Sequence, residues 1–88
     1  MSGEYDRLDL PPHSIEAEQS VLGAIMLDNA VLGRLNGNLA EIDFYSEAHR
    51  TIFAHEVALH AEGKPVDVTT LQASLDAAGK LDYVGGMA

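Results

Sequence analysis

The chain has 88 residues, no cysteine, and a formal charge of −9 from 14 acidic and 5 basic side chains. A chain of this length makes one small domain with a modest core, and the absence of cysteine excludes a disulfide scaffold, a zinc–thiolate site and a cysteine nucleophile. The cations Arg7, Arg34, Arg50, Lys64 and Lys80 are scattered, so there is no basic stripe with which to neutralise nucleic-acid phosphates or an anionic membrane surface.

Few aromatic residues and many small ones suit helix-on-helix packing, and the expected fold class is all-α. The segment MSGEYDRLDL is acidic and lacks an apolar run, so it reads as neither signal peptide nor anchor. No stretch approaches membrane-spanning length, and a soluble, intracellular chain is expected. Residues 1–12 are predicted to be a flexible arm ending at Pro11 and Pro12, and residues 13–88 to be the helical domain.

The first helix is predicted from Ser14 to about Leu27. Ser14 can cap it, and Glu16 and Glu18 suit the positive end of its dipole. At 100° per residue, Ile15, Leu22, Ile25 and Met26 share a face with Val21. Glu18 projects into that apolar arc and needs a partner there, either Arg50 or a nearby backbone N–H. Asp28 and Asn29 supply a stop and a possible cap for a short second helix through Val31, Leu32 and Leu35, which Asn36, Gly37 and Asn38 end.

Leu39 to Tyr45 brings Ile42, Phe44 and Tyr45 together as an aromatic plug ahead of a third helix, with Asp43 or Ser46 as its cap. That helix is predicted from about Ser46 to Ala61, stopping at Gly63 with Pro65 beyond. Ala48, Ile52, Phe53, Val57 and Leu59 cover about half its circumference, so it is expected to be the central helix. Asp67 then caps a fourth helix carrying Val68, Leu71, Leu75 and Ala78, and Gly79 ends it. Leu81 can fold back on the last turn, and Gly85-Gly86 reads as the entry to a further, truncated element. The expected architecture is a small bundle of about four helices with a truncated fifth.

Little here reads as chemistry. His55, Glu56 and His60 spell H-E-x-x-x-H, one residue longer than the metal-binding H-E-x-x-H, and positions five apart diverge by about 140° on a helix. His49, Glu56 and His60 do align, at spacings of seven and four, and predict a hydrogen-bonded polar strip where the third helix meets a neighbour or second subunit; a pH-sensitive contact or metal site is the alternative. Gly63-Lys64 and Gly79-Lys80 lack the rest of a P-loop, and no catalytic Ser-His-Asp context is visible. The chain reads as non-enzymatic, with no catalytic, cofactor or metal residues. Its candidate interface or structural positions are Glu18, Tyr45, His49, Phe53, Glu56 and His60.

The segments PPHSIEAEQSVLGAIMLDN, DFYSEAHRTIF, GKPVDVTTL and GKLDYVGG, in this order and spacing, resemble the N-terminal domain of DnaB-type bacterial replicative helicases, over about Pro11 to Ala88. The resemblance implies a cytoplasmic bacterial parent: a hexameric, ATP-dependent DNA helicase whose separate motor domain binds ATP and Mg²⁺. In that setting the domain self-associates as dimers within a hexameric collar and contacts primase and, in some bacteria, the helicase loader. The charge of −9, without a basic stripe, implies no direct nucleic-acid or membrane binding by the domain itself. Family members continue beyond the double glycine into further helices and a helical hairpin, so a chain ending at Ala88 is not expected to form the full collar. Glu56 stands where the family often has an apolar residue, and residues 36–38 also depart from its pattern. The resemblance places a glutamate at Glu18 as a built-in polar contact. A stand-alone helical adaptor sharing the fold is the alternative reading, and a small metal or acid-base enzyme is a further one.

Overall fold

The computed structural model describes residues 14–35 and 37–82, all helix, turn and loop, with no strand among them. The predicted arm at residues 1–12 and the Gly85-Gly86 element lie outside the described residues.

Helix α1 spans Ile15–Leu27. Ser14 has an extended backbone and its hydroxyl accepts from the Ala17 N–H at 3.1 Å, satisfying one of the donors that a helix start leaves open. Asp28 breaks the helix and its carboxylate accepts from the Ala30 N–H at 3.1 Å, which starts the short α2, Ala30–Leu35. Between these helices and the next lies a 3-10 turn over Glu41–Asp43, which the sequence reading did not anticipate. Asp43 serves that turn, accepting from the Ala40 N–H at 2.8 Å, and leaves the capping of the following helix to Ser46.

Helix α3 spans Glu47–Ala61, with the Ser46 hydroxyl accepting from the His49 N–H at 3.3 Å. It ends where Gly63 enters the left-handed region at φ +75° and the Lys64 N–H reaches back to the Leu59 carbonyl at 3.0 Å. A side chain at that φ is strained, which is why glycine makes the stop. Helix α4 spans Val68–Ala77. Its start is a reciprocal capping box: Asp67 Oδ1 accepts from the Thr70 N–H at 2.9 Å, and Thr70 Oγ1 accepts from the Asp67 N–H at 3.0 Å. Gly79, at φ +71°, repeats the glycine stop.

As the width of its apolar arc predicts, α3 is the central helix, packed against α1, α4 and the 3-10 turn. Leu22 and Ile25 of α1, Leu32 of α2, Phe53 and Leu59 of α3, and Leu71 and Leu75 of α4 form the core, together with Phe44 and Val66 from the connections. Phe44 and Phe53 stack at a tilt with ring centroids 5.1 Å apart, within the range where aromatic pairs add to simple burial. Leu81 packs against this cluster.

Five apolar assignments need correction. Of the expected aromatic plug only Phe44 is buried, while Ile42 and Tyr45 are 78% and 59% exposed. Of the three only Ile42 lies in the 3-10 turn, all of whose residues are exposed, and the extended backbone at Phe44 just after the turn is where the chain faces inward. Ile15 sits in the first turn of α1, and Val57 and Val68 lie at the edges of their arcs; all three are exposed.

One side chain ties the two halves together. Asn29 donates from Nδ2 to the carbonyls of Ile25 at 2.7 Å and Val66 at 2.8 Å, while its Oδ1 accepts from the Val66 N–H at 2.8 Å. The end of α1 is thereby bonded to the link before α4, which holds Val66 in the core.

Candidate functional site

The start of α3 is built around Glu18. One carboxylate oxygen accepts from the Tyr45 N–H at 2.7 Å, and the other accepts from His49 Nδ1 at 2.7 Å and, more weakly, from the Ser46 N–H at 3.4 Å. An ionised carboxylate only accepts, so His49 carries its proton on Nδ1. Burial alone would raise the Glu18 carboxyl, but the Tyr45, His49 and Ser46 donors and the His49 charge outweigh it and hold the group below its usual value. The site is also the positive end of the α3 dipole. Glu18 therefore finds the backbone N–H partners expected of it, but not Arg50. The Arg50 side chain instead donates from Nε to the Phe44 carbonyl at 2.6 Å, bracing the same corner from the opposite side.

Between α2 and α3 lies a groove of about 400 Å³. Leu32, Leu35, Leu39, Phe53, Val57 and His60 line it, and among the described residues no Asp, Glu, Lys or Arg does. It is an open apolar surface with one titratable side chain on an otherwise acidic molecule, a combination suited to contact with another protein surface rather than to bond chemistry.

The aligned set His49, Glu56 and His60 does not form a hydrogen-bonded strip. His49 is turned to Glu18, His60 is exposed at the groove, and Glu56 is fully buried with neither carboxylate oxygen bonded. The shared helical face is real, but α1 and the core cover its first two positions and leave the third open. His55, on another face, pairs with Ser74 Oγ at 2.7 Å; burial and the nearby Lys80 charge hold its imidazole below the usual value. Among the described residues no three His, Cys, Asp or Glu side chains converge as a metal site, and no helix is long and apolar enough to cross a membrane.

Of the six candidate positions, the structure joins Glu18, His49 and the Tyr45 backbone at one corner, places Phe53 between core and groove, and sets Glu56 and His60 apart. The part played by Asn29 went unseen, because its place in the sequence suggests only a helix stop and a possible cap for the next helix. Its partner Val66 is 37 positions away.

The family model for the DnaB-like helicase N terminal domain matches residues 10–88. The chain belongs to that family. Its DnaB relatives include the replicative DNA helicase of Buchnera aphidicola subsp. Schizaphis graminum, 46% identical over 82 residues that make up 93% of this chain and 18% of the helicase. The corresponding protein of Geobacillus stearothermophilus is 45% identical over 78 residues, 89% of this chain and 17% of the helicase. The chain thus spans less than a fifth of these DnaB proteins. Among solved structures, the crystal structure of the N-terminal domain of DnaB helicase from Mycobacterium tuberculosis superposes with a TM-score of 0.84 at 36% identity, covering 89% of this chain and 56% of that one.

Proposed function

We propose that the chain is the N-terminal assembly and protein-interaction domain of a hexameric replicative DNA helicase in the bacterial cytoplasm. In this role it forms part of the collar, contacts primase and, in some settings, the helicase loader, and takes no part in bond chemistry. ATP and Mg²⁺ belong to the motor domain of such a helicase. The observation that carries the reading is the match of the DnaB N-terminal family model to residues 10–88. The open apolar groove between α2 and α3 supports it, being the type of surface that a subunit contact covers. The charge of −9 supports a role away from the DNA path.

The test is a domain exchange in the replicative helicase of Geobacillus stearothermophilus. With its matching segment replaced by this chain, the helicase should sediment as a ring and unwind DNA with ATP. Deleting the segment should lower ring stability and the response to primase while leaving ATP hydrolysis measurable. Unchanged assembly and primase response after deletion would refute the assignment.

A further inference from the structure

Glu56 sits in the middle of α3 with none of its surface exposed and no hydrogen-bond partner for either carboxylate oxygen. One turn away on the same helix are Phe53 and Leu59, both in the core. Among the described residues no cation is paired with it. On α3 itself, His49 is bonded to Glu18, Arg50 to Phe44, and His55 to Ser74, while His60 and Glu47 are exposed. On the elements packed against α3, Glu16, Glu41 and Asp76 are exposed, Asp43 and Asp67 serve their own turns, and Glu18 is held by its three donors. An unpaired carboxylate in an apolar core is far costlier than the neutral acid, so such a site takes up a proton. Burial accordingly pushes the Glu56 carboxyl up from 4.5 to about 8.

We propose that Glu56 is a proton-operated latch in the core: as a neutral acid it lets α3 close against its neighbours, and release of its proton to solvent loosens that packing. The native domain is then linked to pH across the neutral range. In the unfolded chain the carboxyl ionises at its ordinary value, while the folded chain keeps the proton until pH approaches 8. The contribution of this group is thus complete at acid pH, declines as pH rises above about 4.5, and levels off above the folded value. Between those limits the ratio of folded to unfolded molecules falls about tenfold per pH unit.

Urea unfolding of the 88-residue chain and of Glu56→Gln, at intervals from about pH 5.5 to about pH 7.5, reads this directly. The folding constant of the wild type relative to the variant should fall about a hundredfold across that range. His55 has a lowered value and the opposite slope, but it is present in both proteins and cancels in the comparison. Parallel pH profiles would overturn the proposal. A second reading on the unmodified chain keeps the test decisive if Glu56→Gln does not fold: the Glu56 side-chain carboxyl ¹³C resonance should titrate near 8, and titration near 4.5 would equally overturn it.

Discussion

Glu18 of α1 and His49 of α3, 31 positions apart, meet with Oε1 2.7 Å from Nδ1, and the same carboxylate takes the Tyr45 and Ser46 N–H groups at the start of α3. A side chain that lies inside an apolar arc by sequence is thus a cross-helix cap. It satisfies backbone donors that α3 cannot satisfy within itself, and it fixes the angle at which α1 crosses the central helix.

Removing that cap should be costly. Glu18→Ala leaves His49 and the Tyr45 N–H facing a void, and the loss should be about 2–4 kcal/mol in urea unfolding, the scale of orphaned donors that had a charged acceptor. Glu18→Gln, which keeps an acceptor oxygen without the charge, should lose roughly half as much.

The same residue sets the acid limit. The folded Glu18 carboxyl lies below its usual value of 4.5, so its contribution is full above that value and is lost as pH falls through the lower folded one. Thermal melts of Glu18→Gln should lack this acid-side decline. Glu56 works in the opposite sense on the other side, which predicts that the most stable pH of the chain lies on the acid side of neutrality.

Asn29 gives a sharper comparison. Asn29→Ala removes both donors and the acceptor that bind Ile25 and Val66, and should cost about 2–3 kcal/mol. Asn29→Asp keeps the acceptor for the Val66 N–H but turns a carboxylate towards two carbonyls. It should be at least as damaging in urea unfolding above the carboxyl's ordinary range, despite its similar shape.

Helix ends should respond on a smaller scale. Asp67→Ala breaks the box with Thr70 and should cost about 1 kcal/mol, while Asp67→Ser should cost only a few tenths. At Gly63 an added Cβ would meet nothing within 4 Å, so Gly63→Ala isolates the backbone strain of φ +75°. A loss of about 1–2 kcal/mol by thermal or urea unfolding is the expected outcome.

Much of the fold was legible because its signals are local. Ser14, Ser46 and Asp67 each cap the helix that follows within three residues, and Gly63 and Gly79 stop the helices that precede them. The apolar periods of α1, α3 and α4 pointed to Leu22, Ile25, Phe53, Leu71 and Leu75 as core. The 3-10 turn escaped because it has no period of its own, and with it the exposure of Ile42.

The candidate site was legible as a set of residues but not as a set of contacts. The spacing of His49, Glu56 and His60 gives their common face, yet what lies over that face comes from other helices. His49 meets Glu18, Glu56 meets core, and His60 meets the groove. By itself, then, the sequence determined the helices, their ends, the acidic surface and the family motifs, all of which depend on neighbours a turn or two away. Only the tertiary structure decided which polar groups are paired. Hydrogen bonds as short as that of Glu18 to His49 require a crossing angle and register that follow from packing the whole core, and no spacing along the chain encodes them.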